Sequence, residues 1–170
     1  MSPYSDGLRT RKGTTTVTAR IDRAIEHHCA TTVDQLALFS QQNDRDVCPS
    51  WYIRTDGSVY ELIRPGRKPA TTGPEWNYRS LSWELLNNTG APGWEGTPAQ
   101  FEAVCQLLAW IASYDGKILD GVPVTFKLTR EFFINHREAL PGTECPGPWW
   151  ASRMDAQLER ARVIFAGKYA

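Results

Sequence analysis

The residues best suited to chemistry are three histidines and a cysteine in two separate stretches. EHHCATT holds His27 and His28 side by side, and INHREALPGTECPG holds His136 nine residues before Cys145. The chain has three histidines in all. Zinc in a hydrolytic site takes three protein ligands, drawn from His, Cys and carboxylate groups, and keeps a fourth position for water. One histidine of the pair, together with His136 and Cys145, supplies such a set.

The histidine pair leaves its own assignment open. Successive side chains of a strand point to opposite faces, so His27 and His28 cannot both reach one ion from a regular strand. Periodicity does not say which of them does. The competing interpretation is a pair of partly exposed histidines and an ordinary core cysteine, since the chain lacks the tight CxxC and HExxH spacings.

The elements that must position these residues include several strands. Residues 22–29 are predicted to form a strand that leads into the histidine pair, and residues 80–86 a second one. FFINH is predicted to be a short strand that delivers His136. WYIRTDGSVYELI is predicted to be a β-hairpin, because Asp56-Gly57 is a turn pair in which glycine supplies a positive φ.

Helical patterns alternate with these strands. TVDQLALFSQQN has apolar residues near helical spacing, and TPAQFEAVCQLLAWIASYDG has Thr97 as its N-cap and ends at Gly116. WWASRMDAQLERARVIFAG is predicted to be one closing helix, followed by a loose tail. This alternation predicts an α/β fold: a single domain with a mixed central sheet covered by helices. We expect a loose leader over 1–19 and the domain over 20–166.

Composition limits the partners. Nineteen Lys and Arg balance nineteen Asp and Glu, so the whole chain has no net charge to attract nucleic acid or an anionic membrane. No apolar run approaches the ~20 residues of a transmembrane helix. The polar start MSPYSDGLRTRKGTTT lacks the apolar core of a secretory signal. The four cysteines are too few and too scattered for a disulfide scaffold. We expect a monomer made in the cytoplasm.

Five motifs resemble, in order, those of a known family. They are EHHCATT, YIRTDGSVYEL, NYRSLSWEL, the helix after TPAQFEA, and NHREALPGTECPGPW. Together they resemble the motifs of type 2 N-acetylmuramoyl-L-alanine amidases, a group that includes phage endolysins and peptidoglycan recognition proteins. The likeness covers residues 20–165. It implies the fold of that family and zinc-dependent hydrolysis of the amide between the lactyl group of N-acetylmuramic acid and L-alanine in bacterial peptidoglycan.

By that resemblance the zinc ligands are His27, His136 and Cys145, while His28 points away into packing or hydrogen bonding. Glu84 aligns with an acidic residue that some members use as general base. A carboxylate at a strand end beside zinc is suited to accept a proton from water and to pass it to the leaving amine. The alternative for Glu84 is a surface carboxylate on an alternating strand.

The resemblance also suggests residues that contact the substrate. Thr143 matches a position held by Thr or Lys, where a hydroxyl or ammonium can donate to the developing oxyanion; its alternative is to stabilise a turn. Asn77 matches the Asn of the N..S motif of the family, with turn capping as its alternative. Arg79 is placed to pair with a stem-peptide carboxylate or to remain solvated. Trp76 and Trp94 complete the candidate substrate contacts.

Two features of the family are absent from the sequence. Many relatives have a catalytic Tyr just upstream of the Asp-Gly hairpin, where this chain has Pro49 and Ser50, and Tyr52 is not equivalent in that register. The frequent WHAG motif appears as ATTG, with Thr71 in place of the histidine. Both differences favour a mechanism that depends on one carboxylate, Glu84.

Three functional classes follow. Without an obvious wall-binding module, the chain resembles the catalytic part of a phage endolysin. Such an enzyme acts on the wall once a separate protein has permeabilised the membrane. The first alternative is a peptidoglycan-binding module without activity, although such relatives typically lack the cysteine ligand that Cys145 supplies here. The second alternative is a zinc amidase that acts on soluble muropeptides.

Overall fold

The fold is that of a computed structural model, which describes residues 7–8 (backbone only), 18–40 and 47–170. The strands within these ranges are β1 Gly7–Leu8, β2 Arg23–His28, β3 Trp51–Ile53, β4 Val59–Glu61, β5 Ser80–Leu85, β6 Ile118–Leu119, β7 Val122–Pro123 and β8 Phe133–Asn135. The helices are α1 Leu36–Phe39, α2 Pro74–Asn77, α3 Pro98–Ala112, α4 His136–Ala139, α5 Pro148–Ala151 and α6 Met154–Lys168.

A mixed sheet of six strands forms the centre of the molecule, in the order β1-β4-β3-β5-β2-β8, while β6 and β7 form a separate hairpin. Strands β3, β5, β2 and β8 are parallel to one another, and β4 is antiparallel to β3. The carboxyl ends of the four parallel strands therefore meet at one edge of the sheet, here called the carboxyl edge. Their amino ends, together with the carboxyl end of β4, form the opposite amino edge.

The core lies between the sheet and the two long helices, α3 and α6, which pack against each other. Glu26 of β2 is fully buried there and accepts hydrogen bonds from Trp83 Nε1 at 3.3 Å and Gln157 Nε2 at 3.0 Å. Burial raises the pKa of Glu26 to about 8, although these hydrogen bonds oppose the rise. A protonated carboxyl therefore joins β2, β5 and α6 beneath the carboxyl edge at neutral pH.

The predicted α/β fold with a mixed, helix-covered sheet is confirmed. The hairpin is present as β3 and β4, with Gly57 at φ 87°. Thr97 caps α3, since its side chain accepts from Gln100 N in a capping box. No helix among the described residues is long and apolar enough to span a membrane.

Some predicted boundaries were wrong. Helix α3 ends at Ala112 rather than near Gly116, because the chain continues in turns. The predicted closing helix is two helices, α5 and α6, and α6 continues through Lys168 into the segment expected to be a loose tail. Helix α1 has four residues, and the rest of its predicted segment, 41–46, lies outside the described residues.

The N-terminal segment was expected to be a loose leader over 1–19. Its residues 7–8 form strand β1, which pairs in parallel with β4 at the end of the sheet. Residues 1–6 and 9–17 lie outside the described part of the chain.

Candidate active site

Three potential metal ligands converge at the carboxyl edge. His27 Nδ1 lies 3.1 Å from His136 Nδ1 and 3.8 Å from Cys145 Sγ. One ligand atom from each residue lies within 4.8 Å of those of the other two. Ligands of a tetrahedral zinc at 2.0–2.3 Å are separated by roughly 3.3 Å for two nitrogens and roughly 3.6 Å for nitrogen and sulfur. The spacing and the donor set of this His-His-Cys cluster therefore fit a zinc ion.

Each ligand comes from a different element of the fold. His27 is near the end of β2, and His136 begins α4 immediately after β8, where Asn135 caps the helix. Cys145 lies on the following turn, and its sulfur accepts a hydrogen bond from the backbone N–H of His28 at 3.4 Å. The parallel pairing of β2 with β8 thus brings an early and a late segment of the chain together.

The two imidazoles of the cluster are in the form that binds a metal. Burial, followed by repulsion from the neighbouring histidines, lowers the pKa of His27 well below its ordinary value, and burial lowers the pKa of His136. Both rings are therefore neutral at neutral pH, as metal coordination requires. His27 Nε2 lies 3.0 Å from Thr72 Oγ1, which leaves Nδ1 to face the other two ligands.

The thiol of Cys145 is held in its neutral form unless a cation is nearby. Burial and then the Glu84 carboxylate raise the pKa of Cys145 far above its ordinary value. A divalent cation offsets both effects, because thiols bind metals as thiolates. The cluster therefore has the chemistry of a ligand set rather than that of a free nucleophile.

His28 points away from the cluster, which agrees with its expected role. Its Nδ1 lies 3.1 Å from Asn87 Oδ1, and Asn87 in turn donates to Thr31 O at 3.3 Å. The ring of His28 also meets the edge of Trp94, with 5.6 Å between ring centroids. The strand thus presents one histidine of the pair to the cluster and uses the other in packing.

An open cavity of about 260 Å³ adjoins the cluster. Its polar lining residues include Glu84, Thr71 and Thr143 along with the cluster itself. Its lining also includes the apolar side chains of α1 and of the segment before β3, namely Leu38, Phe39 and Val47. The cavity is thus large enough for a small polar group with an aliphatic neighbour.

Glu84 lies directly opposite His27 in the register between β5 and β2. The side chain lines the cavity, and the residue is only 7% exposed, so the alternative of a surface carboxylate was wrong. The thiol of Cys29 also lines the cavity, close to Glu84. Burial and then this carboxylate raise the pKa of Cys29 well above its ordinary value, so Cys29 is a neutral thiol.

Thr143 lines the cavity as well. Its Oγ1 accepts a hydrogen bond from Cys145 N at 3.2 Å, which is the turn-stabilising role considered as its alternative. Because this bond uses a lone pair of the oxygen, the hydroxyl proton is still available to another acceptor. The geometry is compatible with both roles.

The four candidate substrate contacts lie in different places. Trp94 does not line the cavity, but it packs against His28, which does. Asn77 is buried, and its Oδ1 accepts from the backbone N–H groups of Thr71 and Thr72 at 3.2 and 3.0 Å, so it caps the turn beside the cavity.

Arg79 and Trp76 do not line the cavity. Arg79 precedes β5 and therefore lies at the amino edge, where it forms an ion pair with Asp22 at 2.6 Å. Five residues of extended chain, roughly 16 Å, separate Arg79 from Glu84. The guanidinium carbon of Arg79 lies over the ring of Trp76, 5.8 Å from the ring centroid. The structure thus places these two residues together, apart from the residues that line the cavity.

Two functional residues had not been singled out from the sequence. Thr72 bonds His27, and the only signal for it was its position next to Thr71 in the ATTG segment. Cys29 lines the cavity close to Glu84; it directly follows β2, two residues after His27, a spacing that places both side chains on one face of an extended chain. Neither contact follows from a local pattern alone.

The sequence and the fold of the chain are similar to those of known proteins. The sequence profile of the N-acetylmuramoyl-L-alanine amidase family matches residues 17–148. The chain therefore belongs to the N-acetylmuramoyl-L-alanine amidase family. No curated protein sequence matches it.

Solved structures of similar fold share little sequence with the chain. LysCS, an endolysin and N-acetylmuramoyl-L-alanine amidase from Clostridium intestinale URNW, has a TM-score of 0.63 and 15% identity, and the match covers 93% of this chain and 99% of that one. PlyL has a TM-score of 0.66 and 15% identity, with coverage of 95% and 97%. The drosophila peptidoglycan recognition protein SD has a TM-score of 0.56 and 20% identity, with coverage of 82% and 88%. These likenesses establish the fold.

Proposed function

We propose that the protein is a zinc-dependent N-acetylmuramoyl-L-alanine amidase. It hydrolyses the amide between the lactyl group of N-acetylmuramic acid and the L-alanine of the stem peptide. The observation that carries this proposal is the convergence of His27, His136 and Cys145 within 4.8 Å of one another, beside a cavity that Glu84 also lines. Membership of the amidase family supports the same reaction.

His27, His136 and Cys145 would hold the ion. When bound, zinc supplies Lewis acidity to the scissile carbonyl and to water. Thr72 orients the His27 ring through Nε2, and the N–H of His28 stabilises the sulfur of Cys145.

Glu84 performs the proton transfers in this proposal. The carboxylate accepts a proton from the attacking water and then donates it to the amine that leaves, which is the ordinary work of a general base and acid. Since Glu84 is largely buried beside the cavity, its reach is limited to a substrate bound there.

The remaining residues of the cavity bind and orient the substrate. The hydroxyl of Thr143 donates to the oxyanion that develops on the lactyl carbonyl. Leu38, Phe39 and Val47 contact the methyl groups next to the scissile amide and exclude water from that side. Trp94, which packs against His28, extends this surface.

The cellular role that we propose is lysis of the bacterial cell wall, as an endolysin of phage type and as a monomer. The protein would be made in the host cytoplasm and would reach peptidoglycan after the membrane has been permeabilised. Similarity to the endolysin LysCS supports this role.

The decisive experiment uses purified sacculi, with and without a chelator. We expect the protein to release new L-alanine amino termini and a chelator to abolish this release, with zinc restoring it. The drosophila recognition protein has a similar fold, so a binding module is the second candidate. A binding module would sediment with sacculi and release no amino termini in either condition. Faster cleavage of soluble muropeptides than of sacculi would instead indicate the recycling of wall fragments.

A further inference from the structure

A second surface, at the amino edge of the sheet, gathers positive charge. Three backbone segments meet there, because Thr18 N donates to Gly66 O at 3.0 Å and Ala19 N donates to Tyr78 O at 2.9 Å. These contacts bring together three segments that are distant in sequence and that carry six cations. We call these cations the basic surface: Arg20, Arg23, Arg64, Arg67, Lys68 and Arg79.

The turn that carries half of these cations has a fixed conformation. Arg67 N donates to Arg64 O at 2.9 Å, and Gly66 N donates to Asp120 Oδ2 at 3.1 Å. A Cβ atom at Gly66 would lie 2.3 Å from the carbonyl oxygen of Asp120, so only glycine permits this approach. The turn thus presents Arg64, which is exposed, and Arg67 and Lys68, which are half-buried, in a defined arrangement.

The carboxylates of this region do not neutralise it. Asp22 is shared between Arg79 and Arg20, at 2.6 Å from each. The Arg20 side chain is nevertheless 57% exposed and can bind a further anion. Glu75, Asp120 and the buried Glu61 at the end of β4 are further carboxylates of this region. Among the described residues, the six cations still exceed these carboxylates and Asp22. Since the whole chain has no net charge, this excess reflects the separation of charge within the molecule.

We propose that the basic surface binds a phosphodiester-linked anionic polymer of the bacterial cell wall. Its cations are spread over an open surface built from three segments, which suits an extended chain that carries one charge per repeat. Guanidinium and ammonium groups both bind phosphate oxygens. Individually weak contacts of this kind add together along a polymer. That the partner is a wall component rests on the proposed function.

The position of the basic surface allows polymer binding and substrate binding at the same time. The basic surface and the His-His-Cys cluster lie at opposite edges of one sheet, roughly 16 Å apart along β5. Binding at the amino edge therefore leaves the cavity open. A protein held on the wall in this way remains at a high local concentration of its substrate.

Cosedimentation with sacculi tests the proposal. The variant Arg20→Gln/Arg64→Gln/Lys68→Gln is compared with the wild type and with Lys127→Gln/Arg162→Gln/Lys168→Gln, which makes the same change of charge near α6. The probes are sacculi that carry poly(glycerol phosphate) and the same sacculi stripped of it with hydrofluoric acid. We expect the wild type and the control to bind intact sacculi alike, and the basic-surface variant to bind about tenfold more weakly, with added salt reducing the difference.

Stripping the polymer from the sacculi should weaken binding of the wild type to a similar degree, a result that does not depend on how the variants fold. Equal binding of the wild type to both kinds of sacculi overturns the proposal. Stronger binding to phosphatidylglycerol vesicles than to intact sacculi also overturns it.

Activity on a soluble muramoyl-peptide separates this proposal from the proposed function. The basic-surface variant should retain that activity, because none of its three substituted residues lines the cavity. A wild type that binds the polymer without cleaving the peptide refutes the proposed function and supports the basic surface. Cleavage of the soluble muramoyl-peptide, without stronger binding to the polymer-bearing sacculi than to the stripped ones, supports the proposed function and refutes the role of the basic surface.

Discussion

His27 and Thr72 form a hydrogen-bonded pair across 45 residues of sequence, with 3.0 Å between Nε2 and Oγ1. Both residues are almost fully buried, at 1% and 2% exposure. The contact fixes which nitrogen of His27 faces His136 and Cys145. Partners of this kind on the far nitrogen of a ligand histidine strongly influence metal affinity.

Thr72→Val should therefore weaken zinc binding, because the methyl group preserves the shape of the side chain but cannot bond His27. We expect a loss of affinity of about 10–100-fold, measured by competition with a chromogenic chelator. Thr72→Ser, which keeps the hydroxyl, should bind zinc nearly as well as the wild type. Wild-type affinity in the valine variant would show that this hydrogen bond does not orient His27.

Cys145→Ser should impair zinc binding more severely, because a serine hydroxyl is a poor ligand at neutral pH compared with a thiolate. Elemental analysis of freshly purified protein should find about one zinc per chain in the wild type and much less in the variant. Cys48→Ser is the matched control, since Cys48 is buried outside the cluster. Equal zinc content in both variants would exclude Cys145 as a ligand.

Glu84→Gln should separate catalysis from metal binding. The amide is close in size to the carboxylate but cannot accept the proton, so the release of amino termini should fall by about 10²–10⁴-fold while zinc content is retained. Glu95→Gln, on an exposed loop, should have little effect. Normal turnover by Glu84→Gln would refute its role as general base.

Trp94 and Trp76 make a direct comparison, because both were candidate substrate contacts. Trp94 packs against His28, which lines the cavity, whereas Trp76 packs under Arg79. Trp94 has φ 48°, an uncommon conformation for a bulky residue and one that is often found at functional sites. Trp94→Ala should lower kcat/KM on sacculi about tenfold, mainly by raising KM. Trp76→Ala should change it by less than about twofold, since the ring packs under Arg79.

Asp22 should make stability depend on pH in the acid range. Burial opposes its ionisation, but hydrogen bonds from Arg79 and Arg20 outweigh burial and lower its pKa below the ordinary value of 3.8. The folded state therefore binds the proton less tightly than the unfolded state does. The resulting stabilisation is present above the ordinary pKa and is lost as the pH falls through the lower, folded-state pKa.

Asp22→Asn should lower the free energy of unfolding by about 1–3 kcal/mol at pH 7 and reduce its decline below pH 4, as measured by urea unfolding across pH. Asp155→Asn is the control, because the Asp155 side chain is 91% exposed. Identical pH profiles for the wild type and Asp22→Asn would show that this ion pair does not contribute.

Local signals in the sequence were sufficient for much of the fold. Asp56-Gly57 between two β-prone runs marks the hairpin, and Thr97 before a proline marks the start of α3; both depend on neighbouring residues alone. The break between α5 and α6 was missed, because the apolar periodicity of the sequence continues across Ser152 and Arg153. The regular helix, in contrast, is interrupted at these two residues.

The site was predictable to the extent that it consists of motifs. His136 and Cys145 share one stretch, and the metal set was assigned through the family resemblance rather than through spacing. Which of His27 and His28 joins the cluster depends on which of them shares a face of the sheet with Glu84. The register between β2 and β5 decides this. Sequence alone also did not show that Arg79 lies at the amino edge, because the edge that a residue occupies depends on strand direction.

The three potential ligands lie near the end of β2, at the start of α4 directly after β8, and on the turn after α4, so the cluster cannot exist until both strands have joined the sheet. During translation, a nascent chain would therefore have no functional centre until residue 145 had emerged from the ribosome. Proteolytic removal of the segment after β8 should likewise inactivate the protein at once, even if the hairpin and α3 remain folded.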